Sequence, residues 1–232
     1  MKERIVTPSS AALDVSDDVS RETPAATVEA EPVAAEEIFG SRLAVARQFT
    51  AALAEQGEER GLIGPLELPR LWTRHVLNSA IIAPFFSGRV ADIGSGAGLP
   101  GLVLAIARPD VEWVLIEPME RRVQWLKEQV RELELDNVEV VRARAEDWSR
   151  GPVMDAVTAR AVSALRTLLP LTAPLVRDGG ELVLLKGANA QNEIAAAQKQ
   201  LRKFSVVDAR VDIVGEGVLA EPTRVLRGTI RR

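Results

Sequence analysis

The chain has 232 residues, 47% of them hydrophobic, and a formal net charge of −4 at pH 7, which is enough apolar material for one main domain with a sizeable core. Because it contains no cysteine and one histidine, disulfides, thiolate metal ligands, a cysteine nucleophile and a His-rich metal cluster are excluded, and we expect no metal. Neither an apolar leader nor an unbroken run of about 18 apolar residues is present, so we expect a cytoplasmic protein without membrane spans.

The first 35 residues are predicted to form a disordered acidic tail. They are rich in Ala, Ser, Thr, Pro and acidic residues and show no apolar periodicity, so they cannot bury enough surface to offset the entropy lost on ordering. Residues 1–37 carry nine acidic and three basic side chains, which leaves the remainder of the chain with a net charge of +2. A mildly basic body is compatible with a nucleic-acid substrate.

Residues 36–88 are predicted to form a helical cap that packs before the main sheet. Apolar residues recur near helical spacing from Ile38 to Leu53, and Gly57 ends this first helix. A turn-rich connector follows, and a second helix is predicted over residues 69–85.

The second cap helix carries a basic and aromatic cluster. His75 lies close in sequence to Arg70, Trp72 and Arg74, and such a set of side chains is able to stack on RNA. A lone histidine on a cap helix is more often structural, so both interpretations stay open.

From residue 89 onward, short apolar runs alternate with longer amphipathic segments, a pattern typical of βαβ units on a mostly parallel sheet. Strands are predicted at residues 90–93, 112–116, 138–141, 156–158, 182–185, 205–211 and 223–229. Helices are predicted between them at residues 99–107, 120–133, 162–169 and 189–204. The prediction is an α/β fold of the Rossmann-like class, with seven strands, helices on both faces and a ligand-binding domain over residues 89–232.

A glycine-rich loop after the first strand is the strongest local signal. The sequence VADIGSGAGLPG, residues 90–101, places Gly94, Gly96 and Gly98 at alternate positions directly after Asp92. Glycine permits positive φ and lets the backbone approach a ligand that a Cβ would block. The unpaired N–H groups of the following helix favour a polar or anionic group beside the loop.

Two nucleoside cofactors fit this loop. Starting at Gly96, the run to Gly101 satisfies the dinucleotide fingerprint and indicates NAD. The methyltransferase register begins two residues earlier and includes Asp92. A carboxylate at this position would repel a pyrophosphate but favours the charged methionine portion of S-adenosylmethionine. The loop therefore favours the methyltransferase register, with a structural turn that binds nothing as the third alternative.

Acidic residues also follow the next two predicted strands. Glu117 ends the second strand about 20 residues beyond the loop, where a carboxylate can accept hydrogen bonds from both ribose hydroxyls of an adenosine. Glu146 follows the third strand within the sequence RAEDW, residues 144–148. It is well placed to take the exocyclic amine of adenine, or it is simply an acid stabilised by a helix dipole.

The order of these motifs resembles the bacterial RsmG or GidB family, whose members methylate N7 of a guanine in 16S ribosomal RNA. The resemblance covers roughly residues 36–232. Its most specific segments are residues 92–101 (DIGSGAGLPG), 158–161 (TARA), 184–187 (LLKG) and 74–79 (RHVLNS).

The resemblance implies S-adenosyl-L-methionine as the cofactor. Asp92, Gly96 and Gly98 belong to the glycine loop that would hold it. The further positions to which the family's cofactor contacts carry over are Gly94, Leu99, Glu117, Ala145, Glu146 and Arg160.

Arg160 follows the fourth strand, at the carboxyl edge where open α/β sheets bind their ligands. There it is able to hold the cofactor carboxylate or to present charge to RNA. The alternative is a surface arginine that covers apolar neighbours. Two departures from the family pattern, the connector at residues 60–65 and Asn78 where an aspartate is common, leave the base-facing contacts of the cap undefined.

The implied reaction needs no general base, since N7 of guanine carries a lone pair and no proton at neutral pH. Catalysis then comes from holding N7 in line with the sulfonium methyl, a positioning effect able to supply roughly 7 to 11 kcal/mol. The predicted catalytic-site residues are Arg160, Lys186 and Arg224. Lys186 and Arg224 are expected to contact phosphate or O6, because N7 must stay free; a solvated strand-end lysine is the alternative for Lys186.

The expected substrate is 16S rRNA or a precursor of the small ribosomal subunit, and the expected state is a monomer. Other hypotheses are a class I methyltransferase that acts on a different RNA or a small molecule, an NAD-dependent oxidoreductase, and a non-catalytic RNA-binding module. The oxidoreductase lacks a visible proton-transfer residue near the sheet, since the chain has no tyrosine and His75 precedes the sheet.

Overall fold

A seven-stranded sheet forms the centre of the computed structural model, which describes residues 27–148, 153–160 and 163–232. Its strands are β1 (Arg89–Ile93), β2 (Glu112–Ile116), β3 (Val138–Val141), β4 (Met154–Arg160), β5 (Val176–Lys186), β6 (Val206–Val214) and β7 (Thr223–Ile230). The spatial order is β3-β2-β1-β4-β5-β7-β6, with β7 antiparallel to both of its neighbours. The predicted α/β class and its mostly parallel seven-stranded sheet are confirmed.

The strand order reverses at β1. β2 pairs with one side of β1, and β3 pairs with the outer side of β2, both in parallel. β4 pairs with the other side of β1, also in parallel. The loops that follow β1 and β4 therefore diverge at the carboxyl edge of the sheet, which is where ligands bind in open α/β sheets.

Helices cover both faces of the sheet. The α-helices are α1 (Ala34–Phe39), α2 (Leu43–Gln56), α3 (Asn78–Ala80), α4 (Gly101–Ala107), α5 (Glu120–Glu132), α6 (Leu165–Thr172), α7 (Ala190–Ala196) and α8 (Gln198–Lys203). A π-helix spans Leu71–Leu77, and 3-10 segments lie at Gly40–Arg42, Pro65–Arg70, Ala83–Phe85 and Ala173–Leu175. In the part of the chain that the structure describes, no helix has the length and apolar content needed to cross a membrane.

Alternation along β2 divides the apolar residues between two cores. Trp113 and Leu115 join the core beneath the cap, α4 and α5, whereas Val114 and Ile116 join the core beneath α6, α7 and α8, as a period of two requires. The Trp113 ring meets Phe86 edge to face, with centroids 5.2 Å apart. Such a pair contributes about 0.5–1.5 kcal/mol beyond its buried area, and it fastens the end of the cap to the sheet.

The cap departs from the predicted pair of continuous α-helices. The first helix is divided into α1 and α2 by a 3-10 turn at Gly40, whose φ is +49°. The second, predicted as one α-helix over residues 69–85, is wrong in type: it consists of the π-helix, the short α3 and a 3-10 turn. Pro69 and Pro84 lie near its two ends, where the absent N–H group and the ring oppose regular α-helical bonding.

The predicted end of the acidic tail, at residue 35, lies too far along the chain. The N–H of Glu29 donates to the carbonyl of Leu68 over 2.9 Å, and its Oε2 accepts from the N–H of Thr73. Glu31 pairs with an arginine of α2 at 2.6 Å. These acidic residues therefore contact the cap before α1 begins at Ala34, because specific partners offset the cost of ordering them. Residues 1–26 of the predicted tail lie outside the described residues.

Strand β5 begins at Val176, well before its predicted start. The sequence DGGE at residues 178–181 is typical of a turn, but Gly179 adopts a φ of +76° and the register between β4 and β5 shifts nearby. At Gly180 a Cβ would lie 2.6 Å from the carbonyl oxygen of Asp155. The two glycines therefore carry the strand through an irregularity that a side chain would obstruct.

Two helices behind the sheet also differ in extent. The helix predicted at residues 162–169 is observed as α6, which begins at Leu165, and residues 161 and 162 lie outside the described residues. The helix predicted at residues 189–204 is divided into α7 and α8 at Ala197.

Asn137 provides a test of how the edge of the sheet is held. Its side-chain amide lies 3.1–3.2 Å from the carbonyl oxygens of Ala105, Arg108 and Val111. Asn137→Ala removes the donor and is expected to lower the free energy of unfolding by about 1–3 kcal/mol. Asn137→Asp should cost more, because it turns a carboxylate toward the same three oxygens.

Urea denaturation of both variants measures this effect. Asn192→Ala, which removes an exposed amide from α7, is the control and should change stability by less than about 0.5 kcal/mol. Equal stability of Asn137→Asp and the unmodified chain would contradict the assigned role.

Candidate cofactor and substrate site

The loop after β1 has the backbone geometry that the glycines predict. Gly94, Gly96 and Gly98 adopt positive φ angles of +72°, +55° and +92°. A Cβ on Gly98 would lie 2.5 Å from a side-chain carbon of Leu102, so the packing of α4 requires this glycine. A Cβ on Gly96 would meet no atom closer than 3.7 Å. A Cβ there would make only ordinary van der Waals contact, so it is the positive φ that favours glycine at this position.

Asp92 is turned inward at the end of β1. It is fully buried, and its Oδ2 accepts a hydrogen bond from the N–H of Gly101 over 3.0 Å. Its Oδ1 has no hydrogen-bond partner among the described residues. Burial raises the pKa of Asp92 to about 7, and the neighbouring carboxylate of Glu117 adds to that effect. The predicted contact with a cofactor stays a prediction, and it requires a donor that reaches the buried Oδ1.

Glu117 joins the end of β2 to the glycine loop. Its Oε2 accepts a hydrogen bond from the N–H of Gly96, and its Oε1 accepts one from the N–H of Met119, both over 2.9 Å. Only 2% of Glu117 is exposed. The carboxylate thus fixes the loop itself, and its predicted contact with the ribose hydroxyls stays a prediction.

Sequence reasoning missed Arg122, on α5. Its Nη1 lies 4.0 Å from the position that a Cβ on Gly96 would occupy. Its Nε is buried and has no hydrogen-bond partner in the described part of the chain. The available signal was a basic residue in the first turns of the helix that follows Glu117.

The remaining predicted cofactor residues lie in the loops at the same edge of the sheet. Leu99 packs partly buried against the core beneath the cap. Ala145, after β3, is buried in the opposite core, and Glu146 beside it is exposed. Their contacts with a cofactor stay predictions.

A cavity of about 530 Å³ lies between the cap and the ends of β4, β5 and β7. The three predicted catalytic-site residues, Arg160, Lys186 and Arg224, all line it, and Arg70 and Arg74 of the cap add two further guanidinium groups. The structure thus brings together five basic residues that are far apart in the sequence. Such a wall suits a ligand that carries phosphate.

Lys186 and Arg224 are partners in the register of β5 and β7, but their surroundings differ. Lys186 is not a solvated strand-end lysine: its side chain is 4% exposed, and Nζ donates to the carbonyl of Ser163 over 2.6 Å and pairs with Glu193 at 2.9 Å. That alternative is wrong because α7 brings Glu193 over the strand end. Arg224 is exposed and also borders a second cavity of about 340 Å³.

His75 is buried in the cap and has a partner at each ring nitrogen. Its Nε2 lies 2.6 Å from Oε2 of Glu67, and its Nδ1 lies 2.6 Å from Nη2 of Arg160. Trp72 is 5% exposed and belongs to the core. The predicted stacking of these two rings on RNA is therefore wrong, because both are occupied inside the protein. Sequence reasoning missed Glu67, whose only signal is its place eight residues before the histidine.

Asn78 tethers the cap to the sheet. Its side-chain amide donates to Oγ1 of Thr223, at the start of β7, over 2.6 Å. Asn78 and Thr223 both line the larger cavity. The position where the sequence departs from its family pattern thus helps to close the cavity wall.

A family model described as rRNA small subunit methyltransferase G (GidB) matches residues 42–221. The chain is 69% identical over 206 residues to a ribosomal RNA small subunit methyltransferase G of Leifsonia xyli subsp. xyli, covering 88% of this chain and 99% of that protein. It is 60% identical over 204 residues to a protein of the same description from Clavibacter michiganensis subsp. michiganensis, covering 88% of this chain and 97% of the relative.

Solved structures support the fold. The S-adenosylmethionine-dependent methyltransferase SibL, in its apo form, superimposes with a TM-score of 0.56 at 16% identity, over 84% of this chain and 74% of that one. M. jannaschii TYW2 in complex with AdoMet superimposes with a TM-score of 0.52 at 19% identity, over 68% of this chain and 76% of that one. At these identities the likeness concerns the fold alone.

The buried carboxyl of Asp92 gives a pH-dependent prediction. Its pKa is 3.8 as a reference and about 7 in the folded chain, so between these values the folded chain keeps a proton that the unfolded chain has released. The stabilising contribution of this group is therefore complete below pH 3.8 and is lost as the pH rises through about 7. Asp92→Asn removes the titration.

Urea denaturation of both chains from pH 5 to 8 measures this difference. The stability of Asp92→Asn relative to the unmodified chain should increase with pH and level off above about 7. A difference that does not vary with pH would show that the carboxyl is not held as described.

Proposed function

The chain belongs to the GidB family of rRNA small subunit methyltransferases, and we propose that it transfers the methyl group of S-adenosyl-L-methionine to N7 of a guanine in 16S ribosomal RNA. The family match over residues 42–221 supports methyl transfer to small-subunit rRNA. The observation that carries the proposal to a particular surface is the cavity of about 530 Å³, which has five basic residues on its wall, one of them Arg160 at the end of β4.

The residues at the carboxyl ends of β1 and β2 fit the proposed cofactor. Gly96 adopts a positive φ and is only partly buried, so its backbone is accessible to a closely bound nucleoside. The buried Oδ1 of Asp92 has no partner within the described ranges of the chain, and an ammonium group such as that of the methionine portion would supply one. The residues proposed to hold the cofactor are Asp92, Gly94, Gly96, Gly98, Leu99, Glu117, Ala145, Glu146 and Arg160. When bound, S-adenosylmethionine supplies an electrophilic methyl group on a sulfonium.

The task of this chain's own residues is to bind and orient the guanine. N7 carries a lone pair and no proton at neutral pH, so no residue has to remove a proton before the methyl is accepted. His75, the single histidine of the sequence, is bonded through both ring nitrogens and serves as no base. Holding the reacting atoms in line supplies roughly 7 to 11 kcal/mol of the barrier reduction.

The basic wall restricts how the guanine is contacted. N7 gains positive charge as its bond to the methyl carbon forms, so a guanidinium that faced N7 directly would oppose the reaction. We therefore propose that Arg160, Lys186 and Arg224 contact phosphate oxygens or O6. Lys186 has one N–H left for such a contact after its bonds to Ser163 and Glu193.

The proposed division of labour follows the chain. Residues 36–88 act as the cap that forms one wall of the substrate cavity, and residues 89–232 form the cofactor-binding domain. The proposed substrate is 16S rRNA or a precursor of the small subunit, and the chain is proposed to act on it as a monomer in the cytoplasm.

Mass mapping of labelled product tests this proposal. The purified chain is incubated with methyl-labelled S-adenosylmethionine and either naked 16S rRNA or small subunits from cells that lack the gene. After digestion to nucleosides the label should appear in N7-methylguanosine, and mass mapping of nuclease fragments of the RNA should locate it at one position. Label in another nucleoside, or label in transfer RNA or small metabolites supplied in parallel reactions, would favour a class I methyltransferase with a different substrate and overturn the proposal.

Arg224→Gln is expected to weaken the RNA interaction without affecting the cofactor. Removal of one charge-assisted hydrogen bond from the exposed side of the cavity should lower kcat/KM for rRNA about tenfold. If the bond is to a phosphate, the slope of log affinity against log salt should fall by about one. Affinity for S-adenosylhomocysteine, measured by calorimetry, should not change.

The matched control for this prediction is Arg131→Gln on α5, whose side chain is 76% exposed and does not line the cavity. An equal loss of activity in both variants would assign the effect to overall charge instead of to the cavity.

A further inference from the structure

A chain of partly buried polar contacts joins the cap to the end of β4. Glu67, in the 3-10 segment Pro65–Arg70, contacts Nε2 of His75 at 2.6 Å. Nδ1 of His75 contacts Nη2 of Arg160, also at 2.6 Å. Arg70 holds the other carboxylate oxygen of Glu67, also at 2.6 Å. Two consecutive elements of the cap are thus connected to the distant end of β4 through a single imidazole ring.

The partners of His75 determine its protonation state. A guanidinium only donates hydrogen bonds, so the contact with Arg160 requires Nδ1 of His75 to accept and to carry no proton. The ring proton therefore lies on Nε2, where it is donated to Glu67. The arrangement works only with neutral histidine, because an imidazolium would point an N–H and a second positive charge at Arg160.

The guanidinium of Arg160 is bound almost entirely by the cap. Besides His75 Nδ1, Nη2 donates to the carbonyl of Arg74 over 3.2 Å, and Nη1 donates to the carbonyl of His75 and to Oγ of Ser79, both over 3.3 Å. Arg74 and His75 lie in the π-helix, a rare form that is frequent at functional sites. Four contacts thus orient a side chain that also lines the substrate cavity.

We propose that Glu67 and His75 are positioning residues for methyl transfer, which hold Arg160 at the wall of the substrate cavity while His75 is neutral and release it when His75 is protonated. This inference rests on the proposed function. It adds an acid-sensitive contact between the cap and the end of β4. Protonation of His75 in the cap is therefore expected to lower activity at acid pH.

The charges around His75 agree with this arrangement. Burial lowers the pKa of His75. The positive charges of Arg160 and Arg74 lower it further, and the hydrogen bond to Glu67 raises it by less than these effects lower it. Burial alone would raise the pKa of Glu67, but its hydrogen bonds with Arg70 and His75 outweigh that effect, so its pKa is lowered. Burial lowers the pKa of Arg160 to about 10, which leaves it protonated at neutral pH. The three side chains of Glu67, His75 and Arg160 are called the relay below. At pH 7 they are a carboxylate, a neutral imidazole and a guanidinium.

The pH profile of kcat/KM for rRNA, measured from pH 5.5 to 8.5, tests the relay. The unmodified chain should lose activity below the reference histidine pKa of 6.5. His75→Asn replaces Nδ1 by an amide oxygen that is able to accept from Arg160 and does not titrate. It should keep activity at pH 8 within about fivefold and lose the acid limb. Asp92 also titrates near neutrality, so only the limb that disappears in His75→Asn belongs to His75.

Two further variants separate positioning from folding. Glu67→Gln removes the carboxylate that favours the imidazolium, so its acid limb should move to lower pH. His75→Leu removes the acceptor, and the displaced guanidinium should lower kcat/KM about 100-fold. Circular dichroism at each pH establishes that the variants are folded.

Identical acid limbs in the unmodified chain, His75→Asn and Glu67→Gln would overturn the relay even if all three methylate rRNA. An unmodified chain that binds S-adenosylhomocysteine but methylates no rRNA at pH 8 would instead overturn the proposed function. The two failures are therefore distinguishable.

Discussion

Two buried carboxylates hold the backbone bend after β1, and the rest of the site is arranged around that bend. Glu117 accepts from the N–H of Gly96, and Asp92 accepts from the N–H of Gly101. Hydrogen bonds from backbone N–H groups to carboxylates are stronger than neutral ones, and parallel pairing brings the ends of β1 and β2 together so that both can form. Burial of the Asp92 carboxyl removes it from water, and this raises its pKa. Strongly perturbed carboxyls of this kind concentrate at functional sites.

The glycine loop and the basic cavity depend on different parts of the fold. The loop is fixed by residues of the sheet and of α4, whereas the cavity exists only while the cap stays against the sheet. Three kinds of contact keep it there: the edge-to-face pair of Phe86 and Trp113, the hydrogen bond of Asn78 to Thr223, and the bonds that Arg160 makes to the π-helix. Substitutions in the cap are therefore expected to affect the binding of RNA more than the binding of the cofactor.

The sequence was sufficient for the features that follow from periodicity and from local backbone needs. Alternating β and α segments predicted the seven strands, and the alternate glycines predicted the positive φ angles at Gly94, Gly96 and Gly98. The sequence was insufficient where a partner comes from a distant segment. Lys186 is buried because α7 supplies Glu193, and His75 is buried because Glu67 and Arg160 meet its two nitrogens. Neither pairing has a signal in local spacing, so the sequence left Lys186 between solvent and RNA and left His75 between a structural role and RNA stacking.

The central claim is that the bend between β1 and α4, supported by Glu117, binds a sulfonium nucleoside. Calorimetric titration of the intact chain with S-adenosylhomocysteine, and separately with NADH, tests it most directly. The account predicts one saturable site for S-adenosylhomocysteine, no heat with NADH, and weaker binding in Glu117→Gln, which has only one oxygen to accept from two N–H groups. Absence of S-adenosylhomocysteine binding, saturable binding of NADH, or undiminished affinity in Glu117→Gln would contradict it.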